Sequence, residues 1–317
     1  MLSKSLKAVL IVVMVVLLVG GAALAQDAPL VVVSWNVESG NADSDVIAER
    51  LAEFEDVDLW GLSEVTDQDI EDYEAASEEG ENANFESLLG STGGGDRLAI
   101  LYDEGRLELV DDYELDEINY LGRVRAPLVG HFRDRDTGQE FLFMVNHLYR
   151  GNATGRHEQA RLLNNWAEMQ SLPVIAVGDY NFDYDPETEA RDLGFDVMVA
   201  DGVYEWVRPA VLISTQCSST NNSPCRFNSV LDFVFVSGIA RDWVAESEII
   251  ADVFPPADEA SDHRPVWATF TFVVDVVTPT PVVPEGEAVT RTMILERIAQ
   301  LEAELQALRA LVEQLPE

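Results

Sequence analysis

Runs of hydrophobic residues recur along most of the chain at lengths typical of buried strands. The first two, LVVVSWN at 30–36 and VDLWGLSE at 57–64, are separated by a segment that predicts a helix from Ser44 to Phe54. Further apolar runs bounded by turn residues predict strands at 97–102, 107–113, 124–133, 139–147, 172–179, 231–236, 243–250 and 265–274. Strands with interspersed helices indicate an α/β fold, arranged as a mixed sandwich.

One long helix and one loop complete this part of the chain. Residues 154–169 are amphipathic, with Ala160, Leu163 and Trp166 on one face, as is typical of a helix that packs on a sheet. Residues 66–96 are strongly acidic and end in the glycine-rich STGGGD. We expect this stretch to be a mobile loop with room for one helix.

The first 25 residues have a different character. Two lysines precede an apolar run, AVLIVVMVVLLVG, and a small-residue ALA pattern follows at 23–25. This is the pattern of a secretory signal peptide, with the mature chain starting at Gln26. An uncleaved anchor is the alternative, because residues 8–25 are nearly long enough to span a bilayer. We expect secretion, to the periplasm, the cell surface or the medium, and no membrane insertion after cleavage.

The charge of the chain is strongly negative, with 20 basic residues against 58 acidic ones and a net charge of −38. Both lysines lie in the signal segment, so the mature chain has only arginines and a net charge of −40. Such a surface repels polyanions and anionic lipid. Divalent cations or high ionic strength weaken that repulsion. Abundant acid without lysine predicts a protein that works in brine.

The composition changes again after Val277. Residues 278–287, TPTPVVPEGE, form an extended Pro/Thr-rich linker. Residues 288–317 carry an apolar seam at alternating spacings of four and three, at Ile294, Ile298, Leu301, Leu305, Leu308, Val312 and Leu315. This heptad pattern predicts a coiled-coil helix that forms homo-oligomers, with dimer and trimer both open. The alternative is one amphipathic helix that packs back on the preceding domain.

The two cysteines, Cys217 and Cys225, lie in a segment rich in Ser and Asn. In an exported chain we expect them to form a disulfide that closes this short loop. Two free thiols are the alternative. The absence of a nearby histidine in the sequence disfavours a zinc site.

Polar residues with catalytic chemistry fall at the ends of predicted strands. They are Asn36, Glu64, His147, Asp179, Asn181, Asp262 and His263, and Asp232 stands inside an apolar strand. Any one of them has an ordinary explanation as a cap, turn or strand-end residue. Together they supply hard oxygen ligands, two imidazoles and an amide, and this ligand set favours Mg²⁺, Mn²⁺ or Ca²⁺. The set matches phosphodiester hydrolysis, which needs a cation, a base and hydrogen-bond donors.

Six motifs in this order resemble those of the endonuclease/exonuclease/phosphatase superfamily, of the deoxyribonuclease I-like kind. They are SWNVES, LSEV, VNHL, GDYNFD, LDFVFV and SDHRPV, and they span residues 30–274. The resemblance implies a four-layer α/β/β/α sandwich over residues 26–277 that acts as a metal-dependent phosphoric ester hydrolase, with Mg²⁺ as cofactor. It leaves the substrate open, because nucleases, sphingomyelinases and inositol-phosphate phosphatases share these motifs.

The resemblance also implies roles for individual residues. The metal side would comprise Asn36, Glu38, Glu64 and Asp262. The catalytic groups would be His147, Asp179, Asn181, Asp232, His263 and Asp96. Among them, Asp232 would orient His263, and Asp96 would be the acid partner of His147. Substrate phosphate would contact Arg125. Beside the resemblance, Arg150, Arg156 and His157 follow His147, and they either supply a local cationic rim that binds substrate or are the solvated start of a helix.

A nuclease acting on DNA or RNA is the expected function, because His147, Asp96 and Arg125 fit the deoxyribonuclease-like branch. A lipid or small-molecule phosphodiesterase or phosphatase is the first alternative. Within this alternative, an enzyme that acts on membrane lipids is disfavoured by the acidic surface and by the lack of an aromatic-rich hairpin in the sequence. An inactive binding module on a coiled-coil stalk is the second alternative.

Overall fold

The computed structural model describes residues 28–38, 40, 42–79, 83–216, 229–251 and 260–273. The signal segment, the two cysteines, the linker and the predicted coiled coil lie outside these residues, so the inferences about them stay predictions. Within the described residues, no helix has the length and apolar character needed to cross a membrane.

Twelve strands and four α-helices make up the described chain. The strands are β1 (Leu30–Asn36), β2 (Leu59–Val65), β3 (Phe85–Leu89), β4 (Arg97–Asp103), β5 (Leu107–Glu114), β6 (Leu128–Asp134), β7 (Glu140–His147), β8 (Val174–Tyr184), β9 (Tyr204–Trp206), β10 (Val230–Ser237), β11 (Val244–Ile249) and β12 (Val266–Thr271). The helices are α1 (Ser44–Leu51), α2 (Ile70–Glu78), α3 (Ala153–Glu168) and α4 (Leu193–Met198). Asp43 and Asn152 begin α1 and α3 by accepting a backbone N–H with their side chains.

The strands form two mixed sheets of six. Their orders are β11-β12-β1-β2-β4-β3 and β5-β6-β7-β8-β10-β9. Strand β1 pairs in parallel with β2, and β7 pairs in parallel with β8, while the other neighbours are antiparallel. Each parallel pair is joined by a helical crossover, α1 in the first sheet and α3 in the second, as parallel pairing requires.

The core has three parts that alternate with the two sheets. Between the sheets, Val32 and Ile100 of the first belong to one apolar cluster with Phe143 and Val177 of the second. Helices α1 and α2 cover the outer face of the first sheet, and α3 and α4 cover the outer face of the second. This arrangement confirms the predicted α/β sandwich.

The prediction for residues 66–96 was wrong in part. The stretch contains α2, as allowed for, but it also contains β3, which pairs antiparallel with β4 at the edge of the first sheet. Within β3 only Phe85 is buried, so this strand has no apolar run that a sequence pattern could detect. Helix α4 and the three-residue β9 were missed because both are too short to establish a period.

A buried ion network fixes the beginning of the described chain. The Arg106 guanidinium donates to Asp58 at 2.9 Å, to Asp134 at 3.1 Å, and to the backbone carbonyls of Ala28 and Pro29. Burial raises the pKa of Asp58 to about 6, although the positive charge of Arg106 opposes that rise. Two buried carboxylates therefore depend on one arginine.

We expect Arg106→Leu to destabilise the protein by about 3 kcal/mol, because removing one partner leaves buried charge uncompensated. The free energy of unfolding from urea titration measures this loss. Arg161→Leu is the matched control, because Arg161 forms an exposed ion pair with Glu158 one helical turn away. Its effect should stay below about 0.5 kcal/mol. Equal losses in the two variants would contradict the prediction.

Candidate active site

Three side chains of the second sheet lie side by side between the two sheets. Asp179 in β8 is the register partner of His147 in β7 and of Asp232 in β10. Directly paired residues of neighbouring strands point to the same face. That face is the one from which Phe143 and Val177 enter the core between the sheets, so the three side chains are directed at the end of the first sheet.

A backbone irregularity turns Glu64 toward this cluster. Strict alternation along β2 would place Glu64 on the outer face with Trp60 and Leu62, which contact the helices. The pairing of β2 with β4 shifts register between Ser63 and Val65, and Glu64 has a φ of 62°. Such a bulge re-aims a side chain, and here it directs the carboxylate inward.

Asn36 links the two sheets at the centre of the site. Its Nδ2 donates to Glu64 Oε1 at 3.0 Å and to Asp179 Oδ2 at 3.2 Å, and its Oδ1 accepts the backbone N–H of Glu38. In this arrangement Asn36 bridges two carboxylates with its amide nitrogen. Its predicted part in metal binding stays a prediction.

His263 is held firmly in a buried position. Its Nδ1 lies 2.8 Å from Asp232 Oδ2, as expected for an orienting carboxylate, and its Nε2 lies 3.9 Å from Asp179 Oδ2. Burial opposes its charge, but the carboxylates of Asp232, Asp179 and Asp262 together raise the pKa of His263 to about 10. These carboxylates favour the imidazolium form of His263, whose Nε2 also lies 3.6 Å from Asp262 Oδ1.

His147 has the opposite character. Its Nε2 lies 3.4 Å from Asp179 Oδ2 and its Nδ1 lies 3.8 Å from Glu64 Oε1. Burial, reinforced by the positive charges of Arg125 and His263, holds the pKa of His147 well below its ordinary value. Burial also raises the pKa of Asp179 to about 7. One carboxylate thus stands between a charged and a neutral imidazole.

Several residues that position these groups were not singled out from the sequence. The Trp35 indole donates to the His263 carbonyl at 2.8 Å, and the Ser261 hydroxyl accepts the His263 backbone N–H at 2.9 Å. Thr215 accepts the backbone N–H of Asp232 at 3.2 Å. Trp35 and Ser261 stand directly before Asn36 and Asp262 in two of the recognised motifs. Their position in the sequence could therefore have indicated a role at the site. Thr215 lies in a segment without a detectable pattern.

Asp262 and Glu38 meet at the edge of the site. Glu38 Oε2 accepts the backbone N–H of Asp262 at 2.8 Å, and Gln216 donates to Asp262 Oδ2 at 3.2 Å. Asn181 donates its backbone N–H to Asp179 Oδ1 and its side-chain amide to the Leu148 carbonyl. Asn181 has a φ of 53° and Glu38 one of 50°. Left-handed backbone at non-glycine residues is typical of functional sites.

Asp96 has a different partner from the one expected. Its carboxylate forms an ion pair with Arg125, whose Nε lies 2.9 Å from Asp96 Oδ1. Among the described residues, no hydrogen bond joins Asp96 to His147, although a ligand atom of each lies within 4.8 Å of the other and of Glu64. Asp96 therefore orients Arg125 in this structure, and its role toward His147 stays a prediction.

The donors at the site fit a divalent cation. Glu64, Asp96 and His147 form one group whose ligand atoms lie within 4.8 Å of one another, and Asp179, Asp232 and His263 form a second. His147 Nδ1 is buried without a hydrogen-bond partner in the described chain. The partly exposed carboxylates of Glu64 and Asp96 are oxygen ligands of the kind that Mg²⁺ or Mn²⁺ prefers.

Arg156 and His157 lie near the start of α3, as one of the two interpretations predicted, but Arg156 is not solvated. Arg156 is buried, and its guanidinium donates to the carbonyls of Tyr149 and Arg150 and to Asp192 at 2.7 Å. His157 also contacts Asp192, at 2.9 Å. These residues therefore fix the segment after β7 and do not form a cationic rim. Arg150 itself is exposed beside the site.

The sequence model of the endonuclease/exonuclease/phosphatase family matches residues 33–263, from within β1 to His263. The chain belongs to this family. The match includes the residues that form the site, from Asn36 to His263. Members of the family are generally phosphoric ester hydrolases. No curated protein matches the sequence.

Solved structures of the family have the same fold at low sequence identity. D. rerio TDP2, complexed with a single-strand DNA product, aligns with a TM-score of 0.62 and 17% identity over 78% of this chain and 100% of its own. A mannosyl-6-phosphatase from Bacteroides thetaiotaomicron aligns with a TM-score of 0.54 and 22% identity over 77% and 100%. The catalytic domain of human Nocturnin aligns with a TM-score of 0.56 and 17% identity over 77% and 94%. These likenesses show the shared fold.

Proposed function

We propose that this protein is a secreted, metal-dependent phosphodiesterase that hydrolyses nucleic-acid strands. The observation that carries the proposal is the placement of Asp179 between two imidazoles with opposite pKa shifts, beside an arginine oriented by Asp96. Titratable groups whose environments separate their pKa values are typical of acid–base catalysis. Burying a cluster of charged groups is costly, and this cost favours an active site over an inactive binding module.

A divalent cation fits the partly exposed side of the cluster. Glu64 and Asp96 would hold it, with Asn36, Glu38 and Asp262 as the further candidates from the sequence. When bound, it would supply positive charge to the phosphate oxygens and so favour attack on phosphorus.

The residues of this chain account for the proton movements of hydrolysis. Asp179, with a pKa of about 7, is suited to accept the proton of the attacking water as the new P–O bond forms. The His263 imidazolium, held in place by Asp232, is suited to donate a hydrogen bond to the phosphate as negative charge accumulates. The P–O bond to the leaving oxygen then breaks, that oxygen takes up a proton from solvent, and Asp179 returns the proton that it accepted to solvent, so the products are an alcohol and a phosphate monoester.

Two observations favour a nucleic-acid strand as the substrate. A groove lined by Arg123, Arg125 and Arg150 adjoins the site, and such a groove suits a phosphate backbone. TDP2, which has the same fold, holds a single-strand DNA product in its structure. The mannosyl-6-phosphatase supports the alternative, a phosphatase of small phosphorylated molecules.

A substrate panel tests the proposal directly. We expect cleavage of a labelled single-stranded oligonucleotide with Mg²⁺ or Mn²⁺, complete loss with EDTA, and recovery when the cation is restored. The panel includes plasmid DNA, RNA, mannose 6-phosphate and sphingomyelin vesicles, each at salt concentrations from dilute buffer to molar. Release of phosphate or of a lipid head group without strand cleavage would instead support the alternative, a phosphatase or phosphodiesterase of small molecules or lipids. Hydrolysis that survives EDTA would contradict metal dependence.

The same panel tests the proposed adaptation to brine. We propose that the excess of acidic residues keeps the protein folded and active at high salt, where repulsion among its carboxylates is screened. Export and self-association through residues 288–317 are further proposals. Light scattering with and without those residues measures the oligomeric state, and an unchanged mass would refute oligomerisation.

A further inference from the structure

Two arginines beside the site stand apart from the others of the described chain. The remaining described arginines donate to a carboxylate or a backbone carbonyl. Arg123 and Arg150 are exposed, and within the described residues their side chains make no hydrogen bond or ion pair. In a chain with 58 acidic and 20 basic residues, exposed arginines without either kind of contact are suited to bind an external anion.

Both arginines line the same groove, which has a volume of about 420 Å³. Asp96 and Arg125 line this groove as well, and they also belong to the catalytic cluster. The groove is therefore continuous with the site. A volume of this size accommodates a group about as large as a nucleotide.

The backbone that carries Arg150 is fixed before any ligand binds. Buried Arg156 donates to the carbonyls of Tyr149 and Arg150 at 2.9 and 3.0 Å. The Tyr149 backbone N–H donates to Gln159 at 2.9 Å. Hydrogen bonds to both carbonyls and to one N–H thus hold the segment after β7 in place. Because the segment is already ordered, it loses less conformational entropy when a ligand binds.

An aromatic ring completes the groove. Tyr149 lines it, half-buried, and packs against Tyr120 with ring centroids 6.2 Å apart and an interplanar angle of 57°. Nucleobases stack on such rings, and neighbouring arginines neutralise the phosphates of the same strand. The combination suits a nucleotide better than a sugar phosphate, which has no planar ring.

We propose that Arg123 and Arg150 form a subsite for the phosphate group next to the scissile phosphate of a nucleic-acid strand, with Tyr149 against the adjoining base. This subsite rests on the proposed function, and it specifies how a strongly acidic protein binds a polyanion. The favourable contacts are concentrated in one groove, while the carboxylate-rich surface elsewhere provides none.

Matched esters that differ by one phosphate test the subsite. Two pairs are compared: the p-nitrophenyl ester of thymidine 5′-phosphate with and without a 3′-phosphate, and the p-nitrophenyl ester of thymidine 3′-phosphate with and without a 5′-phosphate. We expect the second phosphate to lower KM about 10-fold in one of the two pairs. Arg123→Gln and Arg150→Gln should each remove most of this advantage, measured as the ratio of the two KM values within the same variant.

Arg161→Gln is the matched control, because Arg161 is an exposed arginine on α3 that pairs with Glu158. It should retain the full advantage. With an oligonucleotide, each groove variant should also reduce the slope of log KM against log salt by about 0.7, the contribution of one phosphate contact in a single strand. Circular dichroism defines the salt range in which all variants are folded. An advantage that is absent in the wild type, or unchanged in both groove variants, overturns the subsite.

Two further measurements keep the outcomes distinct. A sugar bisphosphate could also supply the second phosphate, so phosphate release from glucose 1,6-bisphosphate is compared with release from glucose 6-phosphate. If a second phosphate lowers KM only for these sugars and not for the thymidine esters, the nucleic-acid assignment is overturned. If the wild type hydrolyses neither these esters nor the oligonucleotide, the proposed function fails. Calorimetric binding of thymidine 3′,5′-bisphosphate and thymidine 5′-phosphate then tests the subsite alone, and equal affinities would overturn it.

Discussion

His263→Ala is expected to lower kcat/KM for oligonucleotide cleavage by about 10³-fold or more while the protein stays folded. The substitution removes the donor at Nε2 and leaves Asp232 buried without the imidazole that lies 2.8 Å from its carboxylate. Steady-state kinetics with circular dichroism on the same samples measures both effects. Asp179→Ala should have a comparable effect on activity, because it removes the carboxylate between the two imidazoles.

The matched control is His131→Ala. His131 lies in β6 and contacts Glu140 at 3.0 Å, outside the catalytic cluster. It should keep activity within about 2-fold of the wild type. If His263→Ala retains activity close to that of the wild type, the assignment of the site is wrong. If His131→Ala loses as much activity, the loss reflects a general effect of histidine removal.

Gly178→Ala is expected to destabilise the protein by about 3 kcal/mol or more, which corresponds to a fall in melting temperature on the order of 10 °C. Gly178 has a φ of 129°, and a Cβ there would lie 1.9 Å from the Asn146 carbonyl oxygen. That oxygen belongs to β7, which pairs with β8 at this point. The backbone has no room to adjust without separating the strands that position His147 and Asp179.

Gly40→Ala is the control for this effect. Gly40 has no positive φ, and a Cβ there would meet no atom within 4 Å. It should leave stability within about 1 kcal/mol of the wild type, with any change toward greater stability. Thermal unfolding followed by circular dichroism compares the two variants, and insoluble Gly178→Ala beside soluble Gly40→Ala agrees with the prediction. A melting temperature of Gly178→Ala equal to that of the wild type would contradict it.

Most of the fold could be predicted from local patterns. Apolar runs located the strands because a buried strand needs continuous or alternating apolar residues. The strand that contains Asp179 was longer than predicted, extending to Tyr184. Short elements at sheet edges were missed, since β3 and β9 bury few side chains and have no pattern of their own.

The sequence alone determined which residues carry side chains suited to catalysis and in what order they follow one another. Asn36, His147 and Asp179 stand at or beyond the ends of apolar runs, and sheets gather such residues at one edge. The sequence also indicated that Asp232 is not an ordinary strand residue, because a lone charge in an apolar strand requires a partner. These inferences depend on local composition, so they needed no knowledge of the tertiary structure.

Only the tertiary structure decided which way the side chains face and which of them meet. Glu64 turns inward because a bulge and a positive φ break the alternation of β2. Asp96 bonds to Arg125, and Arg156 fixes a buried turn. Several ion pairs join residues distant along the chain, such as Arg106 with Asp58 and Arg156 with Asp192. Their choice of partner depends on packing geometry, which no local pattern contains.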